Sequence, residues 1–197
     1  MKPIITIFAA TCERTADHVR ALELCSKAMP PHIPHTAHLY TPPAPWTKLE
    51  QTQFLTHAMK DHIMTDFVMT VHLDGFALHP DKWDNEFLEY DYIGAPWPVE
   101  LCHGYNPPHR VGNSGFSLRS RKWLAATAEL PLPEQIEEDV FVCMKHHDVM
   151  VHKFGCKIAP VDLALKFSLE NALPEFPQWK AEDSFGFHGY WRKESIR

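Results

Sequence analysis

The sequence predicts an α/β fold: a single domain with a mostly parallel, Rossmann-like central sheet flanked by helices. Three observations predict it. Strand-like and helix-like runs alternate along the chain. The run from Asp66 to Leu73 is apolar on both faces, as a central strand of a sheet covered on each side requires. The 197 residues are 45% hydrophobic, enough to bury one sizeable core.

Residues 4–10 read as the first strand and residues 15–28 as a helix, with Thr15 or Thr11 as its cap. Thr36–Tyr40 is a short second strand. Thr41–Trp46 follows, where three prolines fix φ and remove donors, so it is not helix interior. Thr47 caps a helix reaching about residue 62, and Glu50 is placed to complete a capping box. Beyond the central strand, Pro80–Tyr92 is polar and partly helical, and a short strand lies around Tyr92–Gly94. Proline-rich residues 95–110 read as a loop, and Gly115–Leu118 as a strand entered through a glycine-punctuated turn. Helices are expected over Ser120–Glu129 and Pro133–His147. Lys157–Ala159 is a late strand, Leu163–Leu169 a short element, and the tail from Glu175 is irregular and aromatic-rich.

Composition narrows the function classes. No apolar run is long enough to span a bilayer. Met1–Ala10 carries a single Lys before Pro3 and reads as a buried strand, not a signal peptide. Five cysteines with no C-x-x-C pair suit reduced thiols in the cytoplasm. With 25 acids against 19 bases the net charge is −6, which disfavours nucleic acid as partner. Arg119, Arg121 and Lys122 nevertheless form a short basic strip. Most of the 14 histidines read as surface side chains.

Four constellations carry candidate chemistry. His72 and Asp74 lie two apart at the end of the central strand and so share one face. Both can approach one hard cation, Mn²⁺ or Mg²⁺, and Gly75 leaves space for a ligand. The competing reading is an Asp capping the next turn beside a buried His72. Glu134, Glu137, Glu138 and Asp139 form an acidic helix start, as the helix dipole favours. Asp139 directly precedes the apolar run Val140–Met144, where a carboxylate can serve as general base toward a hydroxyl. Val111–Ser120 lacks the ending of a P-loop but offers glycines that let backbone approach a ligand, or simply turn. Ser184–Tyr190 places His188 between Gly186 and Gly189, where it can swing over a site or stand on the surface.

Taken in order, the blocks around His72–Phe76, Phe87–Trp97, Val111–Arg121, Glu137–Cys143, Lys157–Glu170 and Phe185–Gly189 closely resemble a family of glycosyltransferases. That family has long been catalogued as a domain of unknown function and looks like a GT-A-fold group. The resemblance runs from about residue 65 to 190 and is looser over residues 1–64.

The resemblance implies one GT-A-like domain, with residues 1–75 as nucleotide-binding half and 76–197 as acceptor half. It implies that Asp74 is the surviving acid of a D-x-D-type metal motif, with His72 in place of the other acid. It implies His188 as the histidine completing the metal and diphosphate site, and Glu138 with Asp139 as the acidic pair supplying the base. Asn113 and Gly115 resemble the loop lining donor and acceptor. By fold analogy Thr11, Glu13 and Arg14 hold the nucleotide. Asp91 is a partner for sugar hydroxyls, and Trp97 a face for a sugar ring or a core aromatic.

The expected activity is metal-dependent transfer of a sugar from a nucleotide-sugar, UDP-linked, to a hydroxyl, with inversion. The acceptor is a glycan or another hydroxyl compound, with modified nucleic acid disfavoured by charge. The alternatives are a nucleotidyltransferase and a non-catalytic GT-A-like module binding carbohydrate or nucleotide.

Overall fold

Ile5–Ala10 forms strand β1, buried at all six positions because it lies between two parallel neighbours. The structure, a computed structural model, describes residues 3–102, 110–134 and 137–189. On one side β1 pairs with β2 (His35–Tyr40), on the other with β3 (Phe67–Val71). Next to β3 lies β6 (Phe116–Ser120), and beyond it β5 (Tyr92–Gly94). The sheet order is β2-β1-β3-β6-β5. β6 is antiparallel to both its neighbours, so it opposes four strands that share a direction. A second sheet, of order β4-β8-β7, is built from β4 (Gly75–Ala77), β7 (Ser168–Leu169) and β8 (Gly186–His188).

Helix α1 (Thr15–Ala28) follows β1 and packs His18, Ala21, Leu22 and Cys25 inward at helical spacing. Its cap is the backbone of Arg14, at φ 52°, and not either threonine hydroxyl. Thr47 does cap α2 (Lys48–Gln53) through the expected capping box with Glu50. The predicted run to residue 62 continues as a π-turn (Phe54–Ala58) and a 3₁₀ turn (Met59–His62). There Thr56 Oγ1 donates to the Thr52 carbonyl at 2.8 Å, which competes with the helical ladder. Helix α3 (Arg121–Thr127) is capped by Ser120, and α4 (Val161–Phe167) precedes β7. Val140–Lys145 and Val149–Lys153 are π-helical turns.

Lys157–Ala159 makes only one bridge, Ile158 to Tyr92, where a strand is predicted. The predicted loop over 95–110 and the helix from Pro133 cross residues 103–109 and 135–136, and Tyr190 follows Gly189. Those positions lie outside the described residues. Among the described residues no helix is long and apolar enough to cross a membrane.

One charged pair sits inside the core. The Arg119 guanidinium, on β6, meets both oxygens of Glu138 at 3.0 and 3.1 Å. The side chains are 0% and 3% exposed. Burial works against the Arg119 charge, but Glu138 beside it holds the pKa above its ordinary value. Arg119 Nε also donates to Ser117 Oγ, which meets Thr70 Oγ1, so β3, β6 and the segment before Val140 are tied by one polar network. The basic strip read from Arg119, Arg121 and Lys122 is thereby dispersed. Arg119 is internal, Arg121 reaches the Met64 carbonyl, and Lys122 pairs with Asp91.

Removing one partner leaves a buried charge unpaired, which costs about 3–5 kcal/mol. Glu138→Ala is expected to lower the urea midpoint correspondingly. A loss below about 1 kcal/mol would mean that the pair does not hold the fold.

Candidate active site

Sheet order reverses at β1, whose two neighbours lie on opposite sides. The crevice beyond the carboxyl ends of β1 and β3 is therefore where ligands of such sheets bind. A cleft of about 500 Å³ opens there. The turn after β1 contributes Thr11, Glu13 and Arg14, and the turn after β3 contributes His72 and Asp74. These five predicted residues are thus brought together. Trp46, Gln51 and His18, which carried no prediction, also line the cleft. Trp46 is stacked on Tyr40 with ring centroids 5.7 Å apart.

Thr11 is buried and its hydroxyl accepts from the Glu13 amide at 3.1 Å, so it shapes the turn. Arg14 is half-exposed and pairs with Asp17. His72 and Gly75 exchange two backbone hydrogen bonds, 2.9 and 3.2 Å, which puts Leu73 and Asp74 at the tip of a tight turn. The Asp74 carbonyl accepts from the Gly189 amide at 2.9 Å. This fastens the end of β8 beside the turn.

β8 runs antiparallel to β4 with His188 opposite Gly75. His188 Nε2 thereby comes within 3.9 Å of Asp74 Oδ1. One donor atom each from His72, Asp74 and His188 lies within 4.8 Å of the other two. The His188 ring has room only because two neighbours lack side chains. A Cβ on Gly75 would stand 2.6 Å from His188 Cδ2, and one on Gly115 2.0 Å from Nε2. Gly115 therefore shapes the site through the histidine.

His188 Nδ1 meets Glu170 Oε1 at 2.9 Å and Asn113 Nδ2 at 2.8 Å. The Asn113 amide is oriented, because its Oδ1 accepts from the Gly115 and Phe116 amides at 2.9 and 3.2 Å. Its nitrogen is thus a donor, and Nδ1 cannot serve both neighbours. Burial works against the Glu170 charge, but the hydrogen bond and charge of His188 outweigh it and hold its pKa below the ordinary value. With Glu170 ionised, Nδ1–H donates to it and Nε2 turns toward Asp74. Burial likewise opposes charge on His188, while Glu170 raises its pKa on balance. Burial, with His188 beside it, pushes His72 down to about 4, so its ring is neutral at pH 7.

A carboxylate and two imidazoles, the His188 ring once it has given up its proton, are a donor set that could hold a divalent ion. Glu170 behind His188 is the arrangement that orients a ligating histidine. Glu170 carried no sequence prediction; its only signal was its place at the end of the Lys157–Glu170 block.

Other predicted residues have different surroundings. Glu138 is internal and engaged by Arg119, which leaves it unavailable to a substrate. Asp139 stays partly exposed; its oxygens accept from the Ser114 and Val140 amides at 3.1 and 2.9 Å, leaving lone pairs free. Asn113 is buried at φ 74° and serves the turn, its Oδ1 holding the Gly115 and Phe116 amides. Trp97 is 7% exposed and donates to Glu170 Oε2 at 3.1 Å, so it braces Glu170 from the core. Asp91 precedes β5 at the opposite end of the sheet, bound by Ser120, Lys122 and the Lys157 amide. It does not reach the cleft. Glu134 is exposed, and Glu137 pairs with Lys48.

Fold and site together define a GT-A-like α/β domain with a candidate metal cluster at the strand ends. A glycosyltransferase involved in glycosylation of the major capsid of PBCV-1 superposes with a TM-score of 0.54 at 14% identity, covering 98% of this chain and 96% of that one. An active-site mutant of LgtC gives 0.51 at 11% identity, covering 93% and 86%. At such identities the likeness is one of fold. A comparison with curated proteins finds no match. The chain belongs to the family described as protein of unknown function (DUF5672), whose profile matches residues 47–188.

The Glu170–His188 pair gives a pH signature for the metal-free protein. The His188 pKa is raised, so its contribution to stability is full below the ordinary 6.5 and lost as pH rises through the folded value. The Glu170 pKa is lowered, so its contribution is full above the ordinary 4.5 and lost as pH falls through the folded value. Stability from the pair should therefore be fullest between these limits. Proton NMR should show His188 titrating above 6.5, and Glu170→Gln should bring it down. An unmoved His188 would remove the assigned pairing.

Proposed function

We propose that this protein is a metal-dependent glycosyltransferase that moves a sugar from a nucleotide-sugar, UDP-linked, to an acceptor hydroxyl with inversion. The observation that carries the reading is the convergence of His72, Asp74 and His188 at the rim of the β1–β3 cleft. The glycosyltransferase named for the PBCV-1 capsid shares the fold, which favours a sugar as the group transferred. Residues 1–75 would serve mainly the nucleotide and residues 76–197 the acceptor.

Thr11, Glu13 and Arg14 would hold the nucleoside, with Trp46 offering an aromatic wall. His72, Asp74 and His188 would hold the ion, which when bound supplies positive charge against the diphosphate. Glu170 keeps His188 in place for this. The acceptor oxygen attacks the anomeric carbon, and the carbon–oxygen bond to the diphosphate breaks with its electron pair leaving on the diphosphate. Asp139 takes the proton of the acceptor hydroxyl. Glu138 is not proposed for this step, since proton transfer would unbalance its buried pair with Arg119. The five free thiols suit a reducing compartment such as the cytoplasm.

Asp74→Asn should leave the fold intact while abolishing Mn²⁺-dependent nucleotide binding and donor turnover, measured by calorimetry and nucleoside diphosphate release. Full activity of that variant, or of wild type in EDTA, would sink the metal role. Pyrophosphate as product would instead favour nucleotidyl transfer. Asp139→Asn should lower turnover about 10²–10⁴-fold with donor affinity retained. Unchanged turnover would exclude Asp139 as base.

A further inference from the structure

A second groove, of about 550 Å³, lies apart from the cleft and shares none of its lining residues. Two part-buried indoles, Trp83 and Trp179, supply its apolar surface. Each ring is locked by its own N–H. Trp83 donates to Asn85 Oδ1 and Trp179 to Ser184 Oγ, both at 3.0 Å. Trp83 is further wedged edge-on against Phe87 and Phe185. The rings are therefore rigid platforms whose polar edges are already satisfied, so they offer apolar surface alone.

The charged lining defines the occupant. Asp81, Asp84 and Asp183 bring three carboxylates, while Lys82 and Lys166 bring two ammonium groups. Gln178 adds an amide that both donates and accepts. Charges of both signs are interspersed, with Lys82 3.9 Å from Asp81, so no region of one sign is large enough to select a lone cation or anion. A neutral polyol suits both, because every hydroxyl accepts from an ammonium and donates to a carboxylate. An apolar carbon–hydrogen face on an indole, with a hydroxyl rim on charged side chains, is the chemistry of a pyranose ring.

We propose that this groove binds a neutral oligosaccharide, at a site separate from the metal cluster. The fold fixes the separation. Phe185 donates to the Lys166 carbonyl at 2.8 Å and accepts from the Leu78 amide at 3.0 Å, which puts the groove at the Gly186 end of β8. His188 stands at the other end, about 7 Å of strand from Gly186. On the transferase reading of the cleft, the groove anchors the glycan that carries the acceptor. Binding itself does not depend on that reading.

The test titrates the full chain with lactose, maltose and N,N′-diacetylchitobiose, following the indole resonances by nitrogen-15 NMR. At least one sugar should shift Trp83 and Trp179 saturably in the millimolar range and leave Trp46 unmoved. The double variant K166A/Q178A, altered at two exposed positions, should weaken that binding about tenfold with the melting temperature unchanged. Trp179→Ala should abolish it. Should Trp179→Ala fail to fold, the double variant decides. Asp74→Asn separates the two sites: it should keep sugar binding whether or not wild type turns over a donor. Loss of sugar binding in Asp74→Asn would place the sugar in the cleft and overturn the groove. So would shifts caused by choline or inorganic phosphate in place of the sugars, the same affinity in the double variant, or no response to any of the three sugars.

Discussion

The site depends on the seating of one imidazole where the two sheets meet. His188 ends a three-residue strand held between β4 and β7, and its pairing with β4 sets it opposite Gly75. Its ring lies against Gly75 on one strand and Gly115 on the turn before β6, at distances where neither tolerates a Cβ. Close packing in such a place permits no partial solution: a methyl group moves the ring or the backbone. Glu170, braced by Trp97, then fixes which nitrogen faces Asp74.

The turn that makes room for His188 is itself held from the core. Asn113 sits at positive φ, where asparagine is tolerated, and its carbonyl accepts from Tyr92 Oη at 2.9 Å. Tyr92 lies under the Arg119 guanidinium, 5.6 Å from its carbon, and Arg119 is neutralised by Glu138. Glu138 thus adjoins Asp139 in sequence yet belongs to the frame, while Asp139 faces the turn through the Ser114 amide. Two consecutive acids have opposite surroundings because one helical step separates inside from rim.

The long elements were legible because periodicity repeats in them. Thr15–Ala28 repeats its inward face several times, and Thr47 with Glu50 spells out a helix start. β4, β7 and β8 escaped because two or three residues carry no period, and their partners are remote in sequence. The direction of β6 was also hidden, since alternation looks the same either way along a strand. In the site, His72 and Asp74 were paired on strand spacing with a capping reading left open, yet β3 ends at Val71 and it is the tight turn closed by His72 and Gly75 that carries Asp74. Asp91 was misplaced because proximity to Gly94 does not say which end of β5 faces the cleft. Glu170 could not be found locally, because its meaning is a contact with a residue 18 positions away. Arg119 read as surface charge because sequence does not reveal a buried partner.

The substitution of a histidine for the first acid of a two-acid metal motif acquires a physical sense on the proposed reading. His72 is neutral, so Asp74 is the single anion among three ligands. A hard ion such as Mg²⁺, which favours oxygen, is held less well by such a set, whereas Mn²⁺ and later first-row ions accept imidazole readily. Glu170 restores negative charge one bond further out: through Nδ1 it makes His188 a more basic ligand. Asp74 and Glu170 together supply two negative charges, the charge of a two-acid motif, with one of them moved behind a histidine. In that position Glu170 polarises the ligand without competing for the ion, and the charge lies farther from an incoming diphosphate. Repulsion between a protein carboxylate and the diphosphate falls with that distance. On the proposed reading the arrangement would favour an anionic donor while narrowing the choice of metal.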